Sequence, residues 1–279
     1  SNADLSPFNF EADTKLDGEL AHLNLEQLSG FSYQGVPLGE LVLPAARWIL
    51  RRHHLQDDPV TRRILREYIR SAWSLKNQFE ALLDTVKPSA AVVYNGMMYP
   101  EAVARWVGRQ KGLPVYSYEV GLRPLSAFFT SGDATAYPLE LPAGFELSAE
   151  QNARLDAYLQ QRFEGNFIMA GVKFWPEMSR LDKDFLELAS HFQQVVPIFT
   201  NVIFDTSQPH ANVIFEDMFA WLDDLLVIAR RHPETLFVIR AHPDEARKGK
   251  ASEESVAEWA EAHNVTSLPN IKFIPPEEY

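Results

Sequence analysis

Residues 195–245 read VVPIFTNVIFDTSQPHANVIFEDMFAWLDDLLVIARRHPETLFVIRAHPDE, and the change of period within this stretch decides the fold. Val195 to Phe204 is a short apolar run rich in β-branched residues, closed by the polar turn Asp205-Thr206-Ser207-Gln208-Pro209; that is the pattern of a buried strand. From Asn212 to Arg231 the residues Ile214, Met218, Leu222, Leu225 and Ala229 recur at steps of three and four, which predicts a helix with one apolar face. A second apolar run, Thr235 to Ile239, follows His232-Pro233 and ends in Arg240-Ala241-His242-Pro243-Asp244-Glu245. Strand, helix and strand in that order make a βαβ unit, with parallel strands and a right-handed crossover. Both polar clusters then leave the carboxyl edge of one sheet, where ligands of open α/β sheets bind.

Upstream, the same logic finds a second unit. Ala90 to Tyr94 reads as a buried strand ending in Asn95-Gly96, Pro100 to Gly112 as a helix, and Leu113 to Tyr118 as a strand ending in Glu119-Val120-Gly121. Before it, helices are predicted from Gly39 through Arg52 and from Pro59 to Thr85, while Asp4 to Leu38 shows no sustained period and reads as an irregular lead-in. Arg62, Arg63, Arg66 and Arg70 read as a solvated helix face. Leu122 to Leu147 is loop-like, with a short strand allowed at Ala127 to Thr130. Ser148 with Gln151 forms a capping box that opens a helix to Arg162. Phe167 to Trp175 is ambiguous, Lys183 to Gln193 is helical, and Ile271 to Ile274 reads as one more strand. The expected fold is α/β with two Rossmann-like halves meeting near Gln194. Each half offers fewer strands than a doubly wound domain normally has. Ser1-Asn2-Ala3 has the look of a tag scar and is set apart from residues 4–194 and 195–279.

Composition narrows the function classes. A chain of 279 residues with 46% hydrophobic content can bury a sizeable core, and 23% charged residues is an ordinary share. A net charge of −12 argues against general nucleic-acid or anionic-membrane binding, although a local basic pocket is compatible with it. No run approaches 18 apolar residues. The absence of cysteine excludes disulfides, thiolate ligands and a cysteine nucleophile, and favours a cytoplasmic setting.

The strand ends carry the candidate chemistry. Arg240 and His242 are two apart and share one face of an extended chain, so a guanidinium and an imidazole donor come together in a way that suits a phosphate or diphosphate. The plainer reading pairs Arg240 with Asp244 or Glu245 and leaves His242 a satisfied surface histidine. Thr206 and Ser207 offer hydroxyls and amides for phosphate or sugar; in a simpler role they form a turn or helix cap. Glu119 ends an apolar strand, where a carboxylate can act as a general base, or can make a structural bond to Arg123 or a loop. Gly121 allows close backbone approach, and Asn95-Gly96 reads as a turn on the same edge. Metal binding has little support: His53 and His54 are adjacent on a predicted helix and so point apart. Neither a Gly-rich phosphate loop nor a Gly-x-Ser-x-Gly elbow is present.

Asn95-Gly96, Tyr118-Glu119-x-Gly121, Thr200-Asn201-Val202-Ile203-Phe204-Asp205 and Val238-Ile239-Arg240-Ala241-His242-Pro243-Asp244-Glu245, each after a strand or within one, together resemble the capsular polysaccharide biosynthesis proteins with a GT-B glycosyltransferase fold. Tyr33-Gln34-Gly35-Val36-Pro37-Leu38-Gly39 also looks like a segment of that family, and the similarity spans Tyr33 to Tyr279. The Arg-x-His-Pro element is similar to the His-Pro motif of bacterial sialyl-, polysialyl- and Kdo-transferases and glycerophosphate polymerases, where it contacts the donor's phosphate. The Glu-x-Gly element is similar to the acidic-Gly motif that carries their base.

The resemblance implies a transferase moving a sugar from a nucleotide-activated donor to a surface or capsular polysaccharide. Residues 4–194 would take the acceptor and 195–279 the donor. Glu119 would be the base, and Arg240, His242, Thr206 and Ser207 would hold the donor phosphate. Asn95, Gly96, Gly121, Asn201, Asp205 and Glu245 would line the cleft. It implies no metal or cofactor, no nucleic acid, and a cytoplasmic protein with peripheral attachment to the inner face of the membrane through a complex. Two other readings stay open: a sugar-nucleotide epimerase or hydrolase, and a non-catalytic glycan- or partner-binding relative. The chain departs from the family in lacking its first strand and helix and its later Ser/Thr loop and Glu-bearing helix, and in having Val120 where some relatives have a second acid.

Overall fold

The computed structural model describes residues 10–121, 123, 125–164, 181–249 and 251–278. It is a mixed α/β structure with two small open sheets. The chain divides into two compact units, one of residues 1–119, 128–138 and 204–207, the other of 120–127, 139–203 and 208–279. The division is discontinuous and assigns 139–194 to the second unit, where the sequence suggested a single boundary at Gln194.

The first unit begins with four helices, α1 (Thr14–Leu20), α2 (Leu25–Ser29), α3 (Leu38–Leu50) and α4 (Pro59–Val86). The lead-in expected to be irregular therefore contains α1 and α2. Both are short and held by their caps: Asp13 accepts from the Lys15 and Leu16 amides, and Asn24 forms a reciprocal capping box with Gln27. Leu16, Leu20, Leu28, Leu38, Val42, Leu65 and Ile69 are buried together as the helical core. Of the arginines of α4, Arg63 is exposed, while Arg62, Arg66 and Arg70 are half-buried and bonded to the chain around them. Arg66 donates to the Leu20 and Leu23 carbonyls at 3.0 Å each, Arg70 pairs with Asp17 at 2.5 Å, and Arg62 pairs with Asp57 at 3.0 Å. Arg66 thereby satisfies carbonyls at and just beyond the end of α1, which a helix leaves open.

Tyr33, Val36 and Leu38 are part of this core. Tyr33 and Val36 exchange backbone bonds across Gln34 and Gly35, both at positive φ, and the Tyr33 ring meets Trp73 edge to face at 4.9 Å. The Tyr33 hydroxyl and the Trp73 indole both donate to Asp13, which joins the segment to the start of α1.

Next come β1 (Ala91–Tyr94), α5 (Glu101–Gln110), β2 (Val115–Val120) and β3 (Ala127–Thr130), with sheet order β1-β2-β3. β1 and β2 are parallel, with Tyr94 opposite Tyr118. Alternation puts Val93, Val115 and Ser117 on the buried face, and α5 packs on β1. Val92, Tyr94 and Tyr116, which fall on the other side of the pleat, are exposed, as is Phe129 of β3.

In the second unit, α6 (Ala149–Phe163) starts at the predicted capping box of Ser148 with Gln151 and precedes α7 (Lys183–Ser190). Phe167 to Trp175 lies outside the described residues. Then follow β4 (Gln194–Phe199), α8 (Gln208–Ala211), α9 (Met218–Arg231), β5 (Thr235–Arg240), α10 (Val256–Ala262) and β6 (Ile271–Ile274). The sheet order is β4-β5-β6, all parallel, as the opening stretch predicts.

Two details of that stretch differ. β4 ends at Phe199 and is an edge strand with exposed Val195 and Phe199; β5 is the central, buried one. The long helix starts at Met218, where Asp217 accepts from the Phe219 and Ala220 amides, so Ile214 lies outside it at 86% exposure. Asn270 joins the crossover to the sheet by donating to the Ala229, His232 and Thr235 carbonyls at 2.8, 3.0 and 3.2 Å. No helix among the described residues is long and apolar enough to cross a membrane.

Candidate active site

At the end of β1 the chain turns sharply. Asn95 has φ 58° and Gly96 φ 84°, the left-handed region that asparagine tolerates and glycine prefers. The turn is closed by Asn95 Oδ1, which accepts from the Met97 amide at 3.0 Å, and by the Asn95 amide, which donates to the Tyr118 carbonyl at 2.8 Å. A Cβ at Gly96 would come within 3.2 Å of both Arg105 and Ser117, so the turn also needs a residue without a side chain. A cavity of about 360 Å³ adjoins this turn, with Glu40, Pro44, Gly96, Met97 and Arg105 among its lining.

The turn aims the buried Asn95 amide at Glu119. Asn95 Nδ2 donates to Glu119 Oε1 at 2.6 Å and to Thr206 Oγ1 at 3.3 Å. The Tyr94 phenol lies near enough for the Glu119 charge to act on it. Glu119 itself is half-buried. The Asn95 bond sets the orientation of the carboxylate.

Tyr137 completes the surroundings of the carboxylate. It follows the short 3-10 turn Ala134–Ala136, whose position is set by Ser117: the Ser117 hydroxyl donates to the Gly132 carbonyl and accepts from the Ala134 amide. Arg105 pairs with Asp133 and donates to the Gly132 carbonyl, and Arg109 donates to the Ser131 carbonyl. Burial, then the charges of Glu119 and Asp205, raise the Tyr137 pKa above the ordinary phenol value. Burial, then Glu119, does the same to Tyr94. Both phenols therefore remain protonated hydrogen-bond donors at neutral pH.

Asp205, Thr206 and Ser207 belong to this same unit. Asp205 Oδ1 accepts from the Ser207 amide at 2.8 Å and from its hydroxyl at 2.7 Å, an Asx turn. Thr206 is buried and receives the Asn95 bond. These two hydroxyls, expected to hold phosphate, are engaged in the Asn95 network and in the turn. Gly121 closes a turn by donating to the Ser126 carbonyl at 2.9 Å, and a Cβ there would overlap the Ser126 hydroxyl. Its close approach is to the chain itself.

The second unit holds the other predicted residues. Arg240 donates from Nη1 to the Ala241 and Pro275 carbonyls at 2.7 and 2.8 Å, and from Nη2 to the Glu278 carbonyl at 2.5 Å. Its guanidinium thus ties the segment after β6 to the end of β5; it pairs with neither Asp244 nor Glu245 among these bonds. His242 Nδ1 accepts from the Asp244 amide at 3.1 Å, capping the turn Pro243–Ala246. That bond requires the proton on Nε2, which makes Nε2–H the donor of this imidazole.

Glu245, expected to line a cleft, is only 3% exposed and accepts from the Val256 amide through both oxygens, at 3.1 and 3.2 Å. Burial raises its pKa from 4.5 to about 7; Glu258 and Glu277 add to the rise and the Val256 amide opposes it. Asn201 turns back on its own backbone, with Oδ1 accepting from the Val202 amide at 2.8 Å. His53 and His54 lie beyond the end of α3, not on it, and their rings touch at 5.0 Å.

Tyr94 and Tyr137 escaped the sequence reading. Tyr94 carried a usable signal, a phenol directly before the Asn95 turn and paired with Tyr118. Tyr137 carried none, because Ser117 positions it from 20 residues away through backbone bonds. No protein-family model matches the chain, and no curated protein matches it significantly.

Proposed function

We propose that the protein is a glycosyltransferase of the GT-B type, moving a sugar from a nucleotide-activated donor to a polysaccharide acceptor. The observation that carries the reading is Glu119, a half-buried carboxylate at the carboxyl end of a parallel strand, oriented by the Asn95 amide at 2.6 Å. In the proposed reaction Glu119 takes the proton of an acceptor hydroxyl as that oxygen bonds to the anomeric carbon of the donor sugar. The bond from that carbon to the nucleotide's phosphate oxygen breaks, and the bonding pair leaves with the phosphate. The role at the donor phosphate that the sequence resemblance implies for His242 is electrostatic and requires no metal.

The test is transfer from a panel of nucleotide sugars to polysaccharide acceptor, comparing the unaltered protein with Glu119→Gln and His242→Ala. A loss of turnover in both variants supports the roles; full turnover in Glu119→Gln removes the base. Product analysis without acceptor separates transfer from epimerisation or hydrolysis. A second reading, a non-catalytic glycan-binding relative, is favoured by Arg240, whose guanidinium is bonded to three backbone carbonyls. It predicts that calorimetry finds no binding of CMP, CDP or UDP.

A further inference from the structure

The sheet of the first unit has a face that its helices do not cover, and that face is aromatic. Tyr94 and Phe129 are 45% and 58% exposed, and Tyr116 and Val92 are exposed beside them. The rings form a continuous series: Tyr94 meets Tyr118 at 5.3 Å with planes at 64°, and Tyr118 stacks on Phe129 at 5.3 Å and 26°. One end of the series adjoins the candidate base: Tyr94 and Tyr118 sit opposite one another at the strand ends, directly before Asn95 and Glu119, whose side chains meet at 2.6 Å. Two carboxylates, Glu119 and Asp205, act on the neighbouring Tyr137 phenol, so the field at this end is negative.

Ring faces next to a carboxylate acceptor are the complement of a pyranose, which has an apolar C–H face and a rim of hydroxyl donors. The negative field adds a restriction. A sugar carboxylate would be placed against Glu119 and Asp205, whereas a neutral ring meets no repulsion and an ammonium is attracted. We infer that the Tyr94–Tyr118–Phe129 face is the acceptor platform and that it takes a saccharide ring bearing no acidic group, with one hydroxyl directed to Glu119. This rests on the transferase reading for its choice of a sugar, and on the aromatic series and the two carboxylates for its specificity. The rings would hold the acceptor while Glu119 alone removes its proton.

The experiment is saturation-transfer NMR on the full chain with methyl β-glucopyranoside, its 2-amino-2-deoxy analogue and its uronate, repeated with Phe129→Ala and with Leu141→Ala as an exposed apolar control in the other unit. Phe129 is exposed enough for its removal to leave folding intact, which circular dichroism verifies. The expected result is binding of the neutral and amino sugars, weakened about tenfold by Phe129→Ala and unchanged by Leu141→Ala. The uronate should bind more weakly by at least about fivefold. Equal or tighter uronate binding, or indifference to Phe129→Ala, overturns the inference. So does a concentration-dependent dimer abolished by Phe129→Ala, because a second copy would then be the occupant. Phe129-dependent sugar binding without any transfer would sink the transferase reading and leave the platform standing. Transfer activity with Phe129-independent binding would do the reverse.

Discussion

The ends of β2 and β5 look alike in sequence, each an apolar strand that runs into charged residues, yet their side chains are used in opposite ways. At β2 a side chain serves a side chain: the Asn95 amide orients the half-buried Glu119 carboxylate. At β5 the charged groups serve the backbone. Arg240 bonds three carbonyls, His242 caps a turn, and Glu245 is buried on the Val256 amide. A polar cluster at a strand end is a potential site only to the extent that the fold does not consume its hydrogen bonds, and the accounting has to be made atom by atom. By that accounting Asn95 positions the Glu119 carboxylate at the end of β2, while Nδ1 of His242 at the end of β5 is taken by a cap.

The largest expected effect breaks or upholds the first half of this contrast. Glu119→Gln keeps an acceptor for Asn95 and removes the base, so transfer should fall by roughly 10²–10⁴ with the urea midpoint unchanged. Loss of stability with retained turnover would put Glu119 in the same structural class as Glu245.

Glu245 tests the other half through pH. Its folded pKa of about 7 lies above the ordinary 4.5, so the folded state binds the proton more tightly than the unfolded one. Stability should be greatest below the ordinary value and fall by up to about 3 kcal/mol as pH rises through 7. Glu245→Gln retains an acceptor for Val256 and should flatten that dependence, leaving the variant more stable than the parent at pH 8 in urea titrations. A parent protein whose midpoint is unchanged between pH 5 and pH 8 would refute the buried carboxylate.

Asn95→Ala removes the shared amide and places a Cβ-bearing residue with no compensating side-chain bond in a left-handed turn. It should cost about 2 kcal/mol and also lower turnover, whereas loss of turnover without loss of stability would make Asn95 purely a positioning group. The smallest effect is expected of Arg240→Ala, about 1–2 kcal/mol of stability. Unchanged stability with abolished nucleotide binding would return Arg240 to the phosphate role and narrow the difference between the two strand ends.

Most elements were legible because period and caps are local. Pro59–Val86, the Ser148 capping box and the parallel β4-α9-β5 unit all stand where residue spacing puts them. The misses have equally local causes. Asp217 caps α9 late, so the apolar Ile214 marks no helical turn, and α1 and α2 are too short to show a period although Asn24 and Gln27 spell a capping box. The site was legible only in part. Glu119 and Asn95 could be picked out by their places after apolar strands, but the bond between them and the neighbour Tyr137 could not, since these depend on the turn at Asn95 and on the bonds of Ser117 to residues 132 and 134.

What the sequence determined alone is therefore the alternation of strands and helices and the edge at which chemistry would gather, because hydrophobic period and capping act over a few residues. Only the tertiary structure decided which charged groups at those edges remain for a ligand. Hydrogen-bond partners such as Asn95 with Thr206, or Arg240 with the Pro275 and Glu278 carbonyls, lie 35 to 111 residues apart. No spacing rule reaches that far, and a donor can be assigned to the fold or to a ligand only when its acceptor is seen.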